Sequence, residues 1–432
     1  MLTDRYGLEL STASHEARDA YVDAIDRMLA ADGQVDETLA TALDADPAFA
    51  LAHVAQARQH QLYGRGKEAR ASAEIAVELA AETTAREQRH VDIISSLVSG
   101  QVPRSLELTH EHMAEHPRDA FALAPACGVF GTIGFSGRVD REAELLALLD
   151  PLATHYGDDW WFQTVHAFAL LETGQWARAR QLVEHSLEQR PGNSHGAHTL
   201  AHALFESGDD EEASSFMGDF LPAADRTSLM HCHNWWHYSE LLMIVGEQDA
   251  ALQAFTENCL PGTSGSPSIN VFTDSVAFLW RSELAGAPRN HELWQAIRHY
   301  YNEQFRRPIV FVDAHVGLMH AALGDTDALD ACIVQLHELG EAGKLPAGTT
   351  AALLTQAYKA FEASDWSTAI DLFEPVIDQV VRIGGSRAQR DLQTNTLIAA
   401  YINADRLDDA ASFLDAVDDR QPTRPLAGLP SR

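Results

Sequence analysis

The strongest constraint on this chain is a turn signature that returns along its length, a small or polar residue followed within five positions by alanine. Clear copies close at Ala179, Ala213, Ala250, Ala328, Ala369 and Ala410, with weaker ones at Ala69 and Ser105. Between the turns, apolar residues recur every three to four positions, as on one face of a helix. Long alternating runs rich in valine, isoleucine and threonine are missing, so strands are expected to be almost absent. Gly174 and Gly208 stand 34 residues apart, Gly208 and Gly246 38 apart, and Gly246 and Gly324 78 apart. The last interval makes two units of about 39 if Leu284-Ala285-Gly286 is a degenerate turn. One such unit cannot bury its apolar face alone and must stack on its neighbours. The 432 residues are therefore expected to form one continuous all-α array over 1–420, followed by an irregular tail over 421–432.

Thirty-four residues is the period of the tetratricopeptide repeat, whose helix pairs wind into an α-α superhelix with the first helix of each pair on the concave side. The unit beginning at Trp160 is the cleanest, with Ala167 where helices cross, Gly174 at the turn, Ala179 in the second helix and Pro191 closing it. Counting from Ser194, His195, His198 and His202 fall at groove positions 2, 5 and 9. Counting from Cys232, His233, Trp236 and Glu240 fall at the same positions, with His237 beside them. Stacked repeats would bring both faces to one solvent-lined concavity. Adjacent helical residues point about 100° apart, so Trp235 is expected to pack as core and Trp236 to wall the groove. Trp160, Trp161 and Trp176 read as packing residues. His90 also takes a groove position, whereas His166 stands where a core leucine is expected.

Imidazoles at i and i+4 can share a metal ion, and here two such pairs, His198/His202 and His233/His237, sit on neighbouring first helices with Glu240 one turn further on. Nitrogen and carboxylate donors together would suit a divalent zinc, iron, nickel or manganese ion. Without a metal, His198, His202, His233, His237 and Glu240 could serve as catalytic proton donors and acceptors around a small molecule, with hydrolase or lyase chemistry. Any one histidine could instead pack locally against a backbone carbonyl. Glu206 extends the His198/His202 stripe. His195, Trp236, Asp313, His315, Arg390 and Asp391 complete the candidate ligand-binding set. Asp313 is expected to cap the helix that follows it, and His315 to approach the cluster from a distal repeat. In IGGSRAQRD (383–391), Ser386 and Gln389 have capping-box spacing, and Gly384 with Gly385 allows a sharp turn. Arg390 could pair internally with Asp391 or hold a carboxylate or phosphate.

The balance of 31 basic against 63 acidic residues, a net charge of −32, opposes nucleic acid and anionic membranes as partners. Four scattered cysteines, Cys127, Cys232, Cys259 and Cys332, lack paired spacing, so a reducing cytoplasm is expected. No stretch approaches the roughly 20 apolar residues of a membrane span, and the first residues do not read as a secretory signal. HELWQAIRHYYNEQFRRP (291–308) reads as a basic surface helix, with contact in a homodimer as an option.

LSTASHEA, ALDADPAFALAH, TAREQRH, HTLAH, HCHNWWH, DAH and GGSRAQRD, in that order over nearly the whole chain, resemble the tetratricopeptide repeat protein 38 family. That resemblance implies a tetratricopeptide-like fold and little about mechanism. The family's paired histidines fall on His198/His202 and His233/His237, its DAH on Asp313 and His315, and its QRD on Gln389, Arg390 and Asp391. Two departures stand out. This chain has Phe205 where some members are acidic, which puts Glu206 in doubt as a ligand, and Ala126-Cys127 where a His-Asp pair is common. Two functions follow as expectations: a small-molecule site built on the histidine cluster, with or without a metal, or a non-catalytic scaffold holding a protein or peptide in the groove. Ordinary peptide-binding repeats favour Asn, Lys and Arg at groove positions, so a scaffold would need a basic or metal-bearing partner.

Overall fold

The computed structural model describes residues 2–306, 309–417 and 425–429. Among these the regular structure is helical apart from one short antiparallel pair of strands, Leu2–Thr3 and Glu9–Leu10. The first helices from the cleanest unit onward are α1 (Trp160–Glu172), α2 (Ser194–Ser207), α3 (His231–Ile244), α4 (Ser268–Leu284), α5 (Val310–Leu323), α6 (Thr350–Glu362) and α7 (Arg387–Asn403). Their starts are 34, 37, 37, 42, 40 and 37 residues apart, so the array is regular in kind and loose in period.

Local chemistry explains these boundaries. Asp159 caps α1 by accepting from the Phe162 amide, Asn193 caps α2 at the Gly196 amide, and Ser386 with Gln389 forms the expected capping box at α7. After the first helices the chain reverses through a left-handed residue. Gly174, Gly208, Gly246, Gly286 and Gly324 occupy that place with φ between 66° and 101°, which makes Leu284-Ala285-Gly286 a true turn. The small residues Ala167 and Ala179 are fully buried and pack with Leu170, Leu171, Val183, Leu200 and Leu204 between α1, α2 and the helix that links them.

The concave side is filled, which corrects the expectation of a solvent-lined groove. The array winds far enough for its distal end to fold back over α2 and α3. Trp280 Nε1 on α4 donates to Thr396 Oγ1 on α7 at 2.9 Å, and Arg281 Nη2 donates to the Ala388 carbonyl at 2.6 Å. The approach depends on two glycines. Gly384 and Gly385 have φ of 101° and 79°, and a Cβ on Gly385 would stand 2.6 Å from the Phe311 ring. From the other side, the Ala30 carbonyl accepts from the His195 amide at 3.1 Å, and Arg141 Nε donates to the Val381 carbonyl at 2.9 Å. Register alone shows which residues face inward; it does not show what the winding lays on top of them.

Of the expected irregular tail, 421–424 and 430–432 lie outside the described residues. Residues 425–429 form a strap in which the Ala427 amide donates to the Leu284 carbonyl at 2.9 Å and Leu426 is buried. The basic segment forms the helix His291–Gln304, with Trp294 and Ile297 turned inward; Arg307 lies outside the described residues. Among the described residues no helix is long and apolar enough to cross a membrane.

Candidate metal centre

The i, i+4 spacing puts His198 and His202 on one face of α2, and the same spacing puts His233 and His237 on the facing side of α3. The fold brings all four together. Each offers a nitrogen within 4.8 Å of the other three, and five of the six ring pairs have centroids 4.5–5.0 Å apart. His202 Nε2 lies 3.0 Å from His198 Nε2, and Phe168 of α1 stacks on the His198 ring and meets His202 edge-on. All four side chains are buried. Burial, reinforced by the neighbouring imidazoles, holds His198 and His237 well below the usual histidine range. They are therefore neutral near pH 7, the protonation state that a metal requires.

An essential supporting residue was missed by the sequence reading. Asp274 of α4, 1% exposed, bonds His233 Nδ1 through Oδ2 at 2.9 Å. This carboxylate fixes the ring and leaves Nε2 available, which is the usual arrangement behind a metal-bound histidine. A faint signal exists in the sequence: an acid in the middle of the apolar run VFTDSVAFLW.

Beyond the imidazoles, the ends of α2 and α3 carry one buried carboxylate each. Glu240 accepts from Arg281 Nη1 at 2.9 Å, and Glu206 lies 4.0 Å from Arg387 Nε. Glu206 is thus near an arginine. Arg390 pairs with Glu142, approaches Glu172 at 3.8 Å and donates to the Gly385 carbonyl within its own segment. Glu172 in turn accepts from the Arg387 amide at 3.1 Å. The GGSRAQRD segment is therefore the floor of this charged layer, with Asp391 buried beside Glu240 and Arg281. Among the described residues, Arg141, Arg281, Arg387 and Arg390 face six acids, Glu142, Glu172, Glu206, Glu240, Asp274 and Asp391, so the layer is formally acidic by two. The carboxyl groups respond as buried acids do: burial pushes Glu240 up to about 7 and Glu172 up to about 8, the latter helped by Glu142.

The remaining candidates are dispersed. His195 is tied by its amide to Ala30 and stands 6.3 Å by ring centroid from His198, outside the group of four. Trp236 is deeply buried and stacks on His233, while Trp235 is partly buried and packs against the apolar core. Helix α5 starts before Asp313, with Ile309 at the N-cap position and no side-chain cap, so Asp313 is not its cap; burial raises the Asp313 carboxyl to about 7. His315 is held by the Phe311 carbonyl at 2.8 Å and does not join the four. His90 and His112 both bond Asp119, and His166 bonds Asp150, each in a separate polar contact.

Residues 170–231, which run from the end of α1 through α2 to the first residue of α3, match a family model described as tetratricopeptide repeat. Over this stretch the chain is tetratricopeptide-like. Two solved structures are also similar: Naa15/Naa10 bound to HypK-THB, at 14% identity over 92% of this chain with a TM-score of 0.22, and the P58(IPK) TPR domain, at 12% identity over 94% of this chain with a TM-score of 0.21. The matches cover 62% of the first protein's chain and 99% of the second's. The tetratricopeptide-like unit thus contains both histidines of α2, and the next first helix supplies the other two.

Proposed function

We propose that this tetratricopeptide-like protein binds one divalent transition-metal ion through His198, His202, His233 and His237. The observation that carries the reading is the convergence of four buried imidazoles. His198 Nδ1 and His237 Nε2 are buried and have no hydrogen-bond partner among the described residues, a costly arrangement that coordination would relieve for those facing the ion. The donor set fits. A tetrahedral zinc with Zn–N of about 2.0–2.1 Å places its ligand nitrogens about 3.4 Å apart, so separations of up to 4.8 Å must close by up to about 1.4 Å, within the reach of side-chain rotation. Four nitrogens without an oxygen favour zinc, nickel or iron over manganese. With the four ligands on two successive repeats, the ion would fasten α2 to α3. Membership of the tetratricopeptide repeat protein 38 family, read from the motifs above, is part of the same proposal.

The test is elemental analysis of protein made without a polyhistidine tag. One equivalent of metal per chain is expected, lost in His198→Ala with His233→Ala. Less than a tenth of an equivalent, with no rebinding, overturns the reading.

A second reading, a partner-binding scaffold, draws on the tetratricopeptide match at 170–231. It belongs to the outer surface, because the histidine-bearing face is covered by α1, α4 and α7. Capture of a stoichiometric partner undisturbed by the double alanine variant supports it.

A further inference from the structure

Away from the histidines, a cleft of about 690 Å³ opens between the helices Val35–Ala45 and Ala50–Leu62 and the loops that lead into α3 and α4. That volume is in the range of small-molecule sites. Its walls are tied together from distant parts of the chain. Gln34 Nε2 donates to Asp225 Oδ2 at 3.2 Å, Tyr63 Oη donates to the Thr227 carbonyl at 3.2 Å, and Ser228 Oγ donates to the Ala31 carbonyl at 2.6 Å. The lining carries four carboxylates, Asp32, Asp36, Glu37 and Asp225, against one guanidinium, Arg65. Arg65 Nη2 donates to both oxygens of Asp36, at 3.0 and 2.8 Å, and the guanidinium carbon lies 5.5 Å from the centre of the Tyr63 ring. The chain thus seats one cation of its own here, on a carboxylate and an aromatic ring. Among the described residues, Asp32, Glu37 and Asp225 form no ion pair.

A second feature is independent of charge. Gln59, 6% exposed, lines the same cleft, and its side-chain amide is neither sealed from solvent nor hydrogen-bonded among the described residues. Water or a ligand in the cleft must therefore satisfy it. Together these groups select the occupant. An anion would meet three uncompensated carboxylates. A single metal ion needs its oxygens around one point, and among the described residues these carboxylates do not converge as the four histidines do. A basic peptide would set its own carbonyl oxygens against the carboxylates. We propose that the cleft binds a polyamine, several ammonium groups joined by short methylene segments. Ammonium groups only donate, so they suit spaced carboxylates and the Gln59 carbonyl oxygen, while the methylenes lie on Val35, Tyr63 and Pro267 of the lining. The proposal goes beyond the metal reading and does not rest on it.

Titration calorimetry of the full-length protein in about 0.15 M salt, where the Debye length is about 8 Å, separates the cleft from the general field of an acidic chain. Spermidine is expected to bind one per chain, about tenfold or more tighter than butylamine or magnesium ion. Glu37→Gln with Asp32→Asn should weaken it by a similar factor, and Gln59→Leu about tenfold, the loss of one hydrogen bond to a charged donor. Glu211→Gln with Asp249→Asn removes two exposed charges outside the lining and should leave the affinity within about twofold. Equal weakening by the two double variants, or an unchanged affinity in Gln59→Leu, overturns the site. Magnesium or trilysine binding more tightly than spermidine overturns the assignment to a polyamine. Because the comparison of ligands uses the unaltered protein, poor folding of Gln59→Leu does not remove the test.

Discussion

At the scale of single residues, Asp274 and Glu240 touch the four histidines' environment in opposite ways and separate under mutation. Asp274 orients His233, so Asp274→Asn should keep the fold and weaken zinc affinity about 10- to 100-fold, read by competition with a chromophoric chelator. An unchanged affinity would mean that His233 is not a ligand. Glu240 is a buried acid with its folded value raised to about 7 against an ordinary value of 4.5. A raised folded value means the group stabilises the fold fully below about 4.5, and that this contribution is lost as pH rises through about 7. Metal-free wild type should therefore lose stability relative to Glu240→Gln over that window, by up to about 3 kcal/mol. Urea melts at pH 5 and pH 8 check the sign. His198 and His237, held low, act in the other direction and cost stability as pH falls, in both proteins alike. Which residues could be named in advance follows from distance along the chain. The four histidines were legible because i, i+4 spacing is a property of one helix. Asp274, 41 positions from His233, and Arg281, 41 from Glu240, join the layer only through packing between helices, which no local pattern encodes.

Among elements, the turns carry the clearest written information, because a left-handed residue is required wherever a helix pair reverses. Five of these places hold glycine, and two do not: Ser364 and Asp405 have φ of 57° and 58°. A Cβ in that conformation costs about 1–2 kcal/mol, less for aspartate, whose side chain bonds locally. Ser364→Gly should accordingly stabilise the protein by about 0.5–1 kcal/mol and Asp405→Gly by less, after the added chain entropy of glycine is deducted. Denaturation midpoints measured side by side test the order, and a destabilised Ser364→Gly would contradict the account. The converse case is Gly385. Its φ is positive, and a methyl group added there would stand 2.6 Å from the Phe311 ring. Gly385→Ala should therefore destabilise by about 2–4 kcal/mol, with the loss appearing first as loosening of α7. Repeat boundaries were thus readable because turns are local. The close crossing of 384–385 against α5 was not, since a glycine pair in sequence specifies freedom and not the neighbour that exploits it.

For the molecule as a whole, a stacked array transmits stability mainly between adjacent repeats, so an ion bound at one interface should act locally. The four candidate ligands join α2 and α3, two successive first helices, and Asp274 extends the contact to α4. Binding to the native state alone stabilises by about 2.7 kcal/mol when free metal is a hundred times its dissociation constant. Because openings in such arrays are sub-global, that free energy should not be spread evenly over 432 residues. Hydrogen exchange should show amides of Ser194–Ser207 and His231–Ile244 slowed about 100-fold on zinc loading, with a smaller effect in Ser268–Leu284. Amides of Thr350–Glu362, two first helices beyond α4, should be unchanged. Uniform slowing along the chain would instead mean that the protein opens as one cooperative unit, with the covering α7 helix welding the array into a closed body. Slowing confined to α7 and the 425–429 strap would place the effect of zinc on the cover and remove the reason for assigning the ion to the interface between α2 and α3.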